Sequence, residues 1–289
     1  MIRPPVPKLP VHETIYTPES RIRSPKRLLR EMAADLWRSR ELAWRLLTRD
    51  IRSQYRSSFL GTAWAIVPAA VTAGGLAFAS SAGVINVGET DIPYPAFVML
   101  GTILWQTFLE AFRGPEKAIK ASRSMLSRVK FPYEAIILSQ LGQILFDLLL
   151  KLILLVILFV VFSVSISWKI VLAPVAFTSL IMLGMGFGLF LVPINHLVQD
   201  ISRSMELLLL VWFFLTPVIY PVPTQPLFAA LVRLNPVTPL LITAREMMTT
   251  GVVSEPVAFG LVSLGAIAAL FAGWLIFRLS IPFLVERIS

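Results

Sequence analysis

Three arginines precede the first long apolar stretch of the chain and are its strongest candidates for binding chemistry. The segment RDIRSQYRSSFLG, residues 49–61, contains Arg49, Arg52 and Arg56, and the chain becomes apolar after Gly61. On a helical wheel of about 100° per residue, these arginines share one arc with Arg38 and Arg45. The arc predicts a basic surface that contacts lipid headgroups, anionic groups of a substrate, or acidic side chains of a partner protein.

A second arc beside the arginines is apolar and aromatic. It contains Trp37, Trp44, Leu47, Ile51 and Tyr55. Together the two arcs predict an amphipathic helix over residues 31–56 that lies along the membrane surface. Residues 1–30 carry six prolines among charged residues and predict a flexible tail.

Two charged residues lie inside an otherwise apolar segment. Asp147 and Lys151 are four residues apart, so on a helix they share a face and can pair. Such a pair indicates either a proton or ion relay or a structural pair that faces a neighbouring helix. Glu110, near the end of the preceding apolar segment, is expected at the membrane interface.

Several kinds of site are excluded or disfavoured by the sequence. The chain has no cysteine, so thiolate chemistry and cysteine metal sites are excluded. No glycine is followed by lysine, so the chain has no GxxxxGK[ST] phosphate loop. The motif GMGFG, residues 184–188, lies in an apolar helix, where Gly184 and Gly188 predict close helix packing. We predict no catalytic residue and no metal site.

The elements that must position these residues are membrane-spanning helices. Hydrophobic residues make up 56% of the 289 residues, and they cluster in long blocks with few charges. The sequence predicts an all-α polytopic membrane protein whose six transmembrane segments are Phe59–Val84, Pro95–Phe112, Ala135–Phe162, Ile170–Ile194, Met205–Tyr220 and Val257–Leu279.

Lysine and arginine positions predict the orientation. Residues 1–56 contain 13 of them and residues 113–134 contain six, whereas the opposite side has only Lys169, Arg233 and Arg245. By the positive-inside rule, we predict that both termini lie in the cytoplasm.

The fifth segment is short and ends in a run of prolines. Its 16 residues cover about 24 Å, which is less than the roughly 30 Å of a hydrocarbon core. The following residues, 221–250, are only half apolar and contain Pro236 and Pro239. They predict short re-entrant helices on the outer side, or else an ordinary outer loop with an interfacial helix.

The loop 113–134 is basic and amphipathic. It predicts a short helix bounded by Gly114-Pro115 and Phe131-Pro132, of the kind that a soluble motor protein could push. Aromatic residues near the segment ends are typical of interfacial or core positions. A subset could instead line a passage and stack against sugar rings, and the candidates are Trp105, Phe108, Phe112, Trp212, Phe213 and Tyr220.

Six motifs in this order resemble one known family. They are RDIRSQYRSSFLGTAWAIVPA, IPYPAFVMLG, SRVKFPYE, NHLVQDI, FFLTPVIYP and LNPVTPL. Over about residues 31–279 they resemble the permease subunit of ABC exporters that move lipid-linked polysaccharides, such as O-antigen, teichoic acid and capsule.

The resemblance implies a homodimer in the bacterial inner membrane, with an ABC-2 transmembrane domain over residues 57–289. Two copies of a separate ATP-binding subunit would bind ATP and magnesium, so the chain would be a transport subunit with no cofactor of its own. Arg49, Arg52, Tyr55 and Arg56 would lie in a gate helix that meets the pyrophosphate of an undecaprenyl-linked glycan. The coupling helix that docks on the ATPase would contain Glu116, Lys117, Lys120, Arg123, Arg128 and Lys130.

Three other functions are alternatives to polysaccharide export. An ABC-2 exporter of another lipid or of a drug would share the fold. A secondary transporter coupled through Asp147 and Lys151 predicts inverted repeats, and no convincing repeat is found. A membrane enzyme acting on glycans is disfavoured, because no cluster of acidic residues occurs in the outer loops.

Overall fold

A computed structural model describes residues 25–56, 64, 66–84, 88–122, 125, 132–197 and 199–288. Every regular element in these ranges is a helix, and no β-strand occurs in them. The prediction of an all-α fold is therefore confirmed for the part of the chain that the structure describes.

Two consecutive helices form the amino-terminal part of the structure. Helix α1 spans Pro25–Arg38 and α2 spans Arg40–Arg56. They meet at Ser39, whose hydroxyl donates to the carbonyl oxygen of Asp35 at 2.6 Å. Helical hydrogen bonds continue on both sides of Ser39, so α1 and α2 are nearly one helix. This helix begins at Pro25, so residues 25–30 of the predicted tail are helical.

Four long apolar helices build the body of the protein. They are α4 (Tyr94–Ala121), α5 (Glu134–Val161), α6 (Ala173–Leu197, preceded by the 3-10 helix Trp168–Leu172) and α10 (Pro256–Ile288). Each is long and apolar enough to cross a membrane. At 1.5 Å per residue, the 28 residues of α4 extend about 42 Å, so this helix exceeds the hydrocarbon thickness.

Four shorter helices complete the described structure. Helix α3 spans Val67–Ser81, α7 spans Gln199–Leu215, α8 spans Pro226–Leu234 and α9 spans Val237–Met248. Helices α8 and α9 are bent by 90° at their junction, as in a broken span or a re-entrant loop. The described helices thus provide four candidate spans, or five if this bent pair counts as one. The predicted first segment begins outside the described residues, at Phe59.

Helix α4 corrects one expectation about the basic loop. The sequence predicts a span that ends at Phe112 and a separate short helix after Pro115, but α4 runs without interruption to Ala121. Pro115 lacks an N–H and leaves one carbonyl without its helical donor. It is nevertheless buried against α6, near Gly188, and this packing keeps the helix continuous. The predicted boundary at Gly114-Pro115 is therefore wrong.

Helix α6 occupies the centre of the body and packs against α4 and α10. Close approach to α4 depends on Gly184 and Gly188. A Cβ atom at Gly188 would lie 2.2 Å from the carbonyl oxygen of Phe112, and one at Gly184 would lie 2.8 Å from the Cβ of Ala111. The predicted packing role of the GMGFG motif is confirmed.

Buried apolar side chains form two cores. The larger one fills the space among α3 to α7, α9 and α10. A smaller cluster, called the second core below, lies where α2 meets the ends of α4, α6 and α10 and the start of α5. Its buried members are Ala43, Leu46, Ile119, Ala135, Ile136, Leu189, Val192, Phe277 and Ile281. The second core attaches α2 to the helix bundle.

Candidate functional site

Helix α2 presents Arg45, Arg49 and Arg52 away from the bundle. Its buried face consists of Ala43 and Leu46, which are 6% and 5% exposed and belong to the second core. Leu47 packs against Gly142 of α5. Near the end of α2, Gln143 of α5 donates to the side-chain oxygen of Gln54 at 2.9 Å. These contacts fix one side of α2 and leave its basic side exposed.

Arg45 and Arg49 of α2 have only local partners among the contacts of the described residues. Arg45 pairs with Glu41 at 2.6 Å, and both side chains are about three-quarters exposed. Arg49 pairs with Asp50 at 2.8 Å and is 52% exposed, and Arg52 is also exposed. Exposed pairs of this kind contribute about 0–1 kcal/mol, so an anionic ligand can replace them at little cost. For Tyr55 and Arg56 the structure describes the helical backbone and not the side chains.

Trp37 of α1 and Trp44 of α2, the two tryptophans of the predicted apolar arc, do not pack on the bundle, although Leu47 of the same arc does. Trp37 and Trp44 are 68% and 66% exposed, and the guanidinium of Arg40 lies 4.3 Å from the ring centre of Trp37. Packing against α5 selects Ala43 and Leu46 instead, which a helical wheel alone does not identify. Exposed tryptophans beside arginines are typical of a membrane–water interface.

The end of α4 carries the described part of the predicted coupling surface. Lys117 and Lys120 are exposed. Glu116 instead faces α6, where it accepts a hydrogen bond from the amide of Asn195 at 2.6 Å and a second one from Lys120 at 2.5 Å. Arg113 pairs with Glu206 and thereby joins α4 to α7. Arg123, Arg128 and Lys130 lie outside the described residues.

Five of the six aromatic residues proposed for a passage are brought together by the fold. Phe108 lies 5.4 Å from Trp105 and 5.3 Å from Trp212, measured between ring centres. Phe112 and Phe213 complete this aromatic cluster at distances of 5.7 to 6.5 Å from its other rings. Phe108 is fully buried. The rings therefore pack directly against one another between α4 and α7 in this conformation.

Tyr220, the sixth residue of that set, lies apart from the aromatic cluster. Its hydroxyl donates to the carbonyl oxygen of Phe214 at 2.6 Å, and its ring stacks on Phe228 at 6.1 Å. It thus connects the proline-rich loop after α7 to α8.

That proline-rich loop, residues 216–225, is held by a buried arginine that the sequence predictions did not include. Arg245 of α9 donates to the carbonyl oxygens of Pro217 and Val218 at 3.2 and 3.1 Å. Its guanidinium also lies 3.7 Å from the ring centre of Phe97. An arginine within the apolar sequence LLITAREMM is the signal that could have identified it.

Two further contacts fix the same loop. The absence of a Cβ at Gly101 allows the carbonyl oxygen of Val218 to approach α4, because a Cβ there would lie only 2.1 Å away. The hydroxyl of Tyr94 donates to the carbonyl oxygen of Ile219 at 3.1 Å. The motif FFLTPVIYP is therefore bound on both sides, by α4 and by α9.

Asn235 connects α7 with the 90° bend between α8 and α9. Its side-chain oxygen accepts from the indole of Trp212 at 2.8 Å and from the backbone N–H of Val237 at 3.0 Å. Its amide donates to the hydroxyl of Thr216 at 2.7 Å. These three bonds require both an acceptor and a donor in one side chain, which explains why an asparagine stands in the LNPVTPL motif. They also attach the bent pair to the aromatic cluster.

The structure gives Lys151 a partner that the sequence did not. Lys151 is fully buried and pairs with Glu110 of α4 at 2.5 Å. The sequence suggested Asp147 as its partner and placed Glu110 at the interface. Glu110 is instead one half of an ion pair between two long helices, because α4 packs against α5.

No group of three or more histidine, aspartate or glutamate residues suitable for a metal ion occurs within the ranges that the structure describes.

Comparison with known proteins shows what this chain is similar to in sequence. Residues 41–249 match the model of the ABC-2 type transporter family. A protein of Myxococcus xanthus, the O-antigen export system permease protein RfbA, is 28% identical over 219 residues, which cover 74% of this chain and 81% of that protein. A Klebsiella pneumoniae protein of the same name is 24% identical over 220 residues, which cover 72% and 80% of the two chains. The matched region extends from α2 to the end of α9.

Proposed function

Because this chain belongs to the ABC-2 type transporter family, we propose that it is the permease subunit of an ATP-driven exporter of a lipid-linked polysaccharide. The names of the relatives support polysaccharide as the cargo, since each is an O-antigen export permease. The observation that carries the proposal is the exposed basic face of α2, most of which lies within residues 41–249 that match the ABC-2 family.

The basic face suits the head group of a lipid-linked glycan. An undecaprenyl-diphosphate carrier has a pyrophosphate at the membrane surface, between its lipid tail and its sugars. Arg49 and Arg52 are exposed on α2, and the exposed Trp44 of the same helix is typical of that surface. Guanidinium groups bind phosphate oxygens in a bidentate manner, and such charge-assisted bonds are stronger than neutral ones. We assign Arg49, Arg52, Tyr55 and Arg56 to the initial contact with this pyrophosphate.

The aromatic residues would act later in transport. Trp105, Phe108, Phe112, Trp212 and Phe213 are packed together in this conformation, so sugar rings could stack on them only after α4 and α7 separate. Tyr220 lies nearer the bent pair α8–α9, where the glycan would leave. We propose that the bent pair is re-entrant on the outer side and that α3 and α7 complete a set of six spans.

The partner ATPase would bind at the end of α4. Lys117 and Lys120 are exposed there, and the segment that follows includes Arg123, Arg128 and Lys130. Glu116 would orient this end of α4 through Asn195. We propose a homodimer with two ATP-binding subunits in the inner membrane, with both termini and the basic face of α2 in the cytoplasm.

A decisive experiment compares two double variants in cells that lack the chromosomal copy of this gene. Arg49→Ala/Arg52→Ala removes the proposed phosphate contacts, and Arg49→Lys/Arg52→Lys keeps their charge. Arg30→Ala is the control, because Arg30 is exposed on α1 outside the proposed face. Loss of one charge-assisted bond of about 1.5 kcal/mol reduces binding roughly tenfold. We expect at least this loss of surface polysaccharide for the alanine variant, with normal amounts of the protein in the membrane.

The lysine variant should keep part of the export, and Arg30→Ala should export normally. Full export by Arg49→Ala/Arg52→Ala would show that the basic face does not bind the substrate.

The pair of Glu110 and Lys151 supports one alternative, a secondary transporter driven by protons. The two hypotheses differ in their energy source. Export that continues after the nucleotide site of the partner ATPase is inactivated, and that stops when the proton gradient is dissipated, would establish the alternative. Export that stops in the ATPase variant and survives dissipation of the gradient would exclude it.

A further inference from the structure

One arginine near the end of the last helix joins three parts of the chain that are far apart in sequence. Arg278 of α10 donates through one guanidinium nitrogen to Glu134, the first residue of α5. Through another it donates to Asp35 of α1. The Arg278, Glu134 and Asp35 side chains are 7%, 2% and 23% exposed, so the centre of this triad is buried.

The burial of the triad makes its three members dependent on one another. Removing one partner of a buried ion pair leaves the other charge without compensation, which is far more costly than breaking an exposed pair. The second carboxylate oxygen of Glu134 is buried and makes no hydrogen bond within the described part of the chain. The charge of Glu134 is therefore compensated mainly by Arg278.

A simple topological role does not explain Arg278. An arginine near the end of a span ordinarily extends along the helix to reach the headgroups. Arg278 instead directs its guanidinium into the protein, toward carboxylates of two other helices. Its neighbour Phe277 is 2% exposed and belongs to the second core, as does Ile281 one turn later.

The positions of the two carboxylates suggest what the triad connects. Glu134 directly follows the segment 122–133, which links α4 to α5 and includes three of the proposed ATPase contacts. Asp35 lies in α1, which continues through Ser39 into the arginine-bearing helix α2. The second core joins the same elements, since it includes Ala43 of α2, Ile119 of α4 and Ala135 of α5.

We propose that Arg278 is a positioning residue that couples ATP hydrolysis to the substrate-binding helix. A movement that the ATPase imposes on the start of α5 displaces Glu134, and the triad transmits this movement through Arg278 to Asp35 and α2. The inference rests on the proposed function. It goes beyond the family match, because Asp35 and Arg278 both lie outside residues 41–249.

The test is the number of glycan chains exported per ATP hydrolysed by the complete complex in proteoliposomes. Asp35→Asn is the main variant, because Asp35 is the most exposed member and its isosteric amide should preserve the fold. Arg278→Gln removes the central charge and Arg278→Lys retains it. Arg233→Gln is the control, since Arg233 is exposed and pairs loosely with Glu255 at 3.5 Å.

Coupling between sites in proteins commonly amounts to factors of about 5 to 150. We expect Asp35→Asn and Arg278→Gln to keep basal ATP hydrolysis and to lose at least about fivefold in glycan exported per ATP. Arg278→Lys should regain most of that ratio, and Arg233→Gln should equal the wild type. The ratio is informative because a purely structural defect lowers the amount of active complex and leaves the number of glycan chains exported per ATP unchanged.

Two results would overturn the inference. One is a wild-type ratio for Asp35→Asn. The other is a lower yield of Arg278→Gln in which the surviving complex has a normal ratio, which would make the triad purely structural. If the wild-type complex hydrolyses ATP but exports no lipid-linked glycan, the proposed function fails instead, independently of the triad.

Discussion

Lys151 of α5 and Glu110 of α4 form an ion pair of 2.5 Å within the apolar body of the protein. The ammonium group is completely buried, whereas Glu110 is about one-third exposed. The two residues are 41 positions apart in the chain, so their contact fixes the relative rotation and height of two long helices. An intramembrane pair of this kind can be functional or structural, and substitutions distinguish the two.

We predict that Lys151→Met destabilises the protein by about 3 to 5 kcal/mol, because it leaves the Glu110 carboxylate without its cation. Glu110→Gln/Lys151→Met should recover much of that loss, because neither charge remains. Thermal unfolding in detergent measures both effects. If the double variant is stable and still exports polysaccharide, the pair is structural. A stable double variant without export would assign it a transport role.

Arg245 should be essential for the loop between α7 and α8. Arg245→Met removes two hydrogen bonds from a charged donor to the carbonyl oxygens of Pro217 and Val218, and we expect a loss of at least about 2 kcal/mol. Arg233→Met is the matched control, because Arg233 is 65% exposed and its pair with Glu255 contributes less than about 1 kcal/mol. Limited proteolysis of the 216–225 loop measures the difference, and equal cleavage of both variants would contradict the prediction.

The contact between α4 and α6 should not tolerate a methyl group at residue 188. A Cβ at Gly188 would lie 2.2 Å from the Phe112 carbonyl oxygen, so Gly188→Ala forces the helices apart and should cost about 1–3 kcal/mol. Gly265→Ala tests helix propensity alone, because its added Cβ has no neighbour within 4 Å beyond the adjoining residues and backbone of its own helix. We expect Gly265→Ala to leave the melting temperature unchanged or slightly higher. A similar decrease for both variants would show that packing is not the cause.

The absence of native cysteines allows a direct test of orientation. Trp168 is 77% exposed before α6, and the side chain of Arg45 is 74% exposed on α2. We predict that a membrane-impermeant maleimide labels Trp168→Cys in intact spheroplasts, whereas Arg45→Cys is labelled only after lysis. The reverse pattern would place α2 outside the cell and would exclude its proposed role with a cytoplasmic ATPase.

Much of the fold could be predicted because its signals are local in sequence. Long apolar blocks specify helices that can cross a membrane, and an interval of four residues specified the packing of Gly184 and Gly188. The order of short motifs identified the family, and the match over residues 41–249 confirms that resemblance. Local signals were less reliable at helix ends. Pro115 was expected to begin a new helix, but its burial against α6 keeps α4 continuous to Ala121.

The sequence alone determined that this protein is helical, lies in a membrane and carries a basic amphipathic helix before its first apolar stretch. Only the tertiary structure decided which charges meet. The pairs Lys151–Glu110, Arg278–Glu134 and Arg278–Asp35 span 41, 144 and 243 positions. A helical pattern relates residues three or four positions apart, so it does not identify partners that are this far apart in sequence. They become neighbours only when the helices pack, because a buried charge is stable only beside a compensating one.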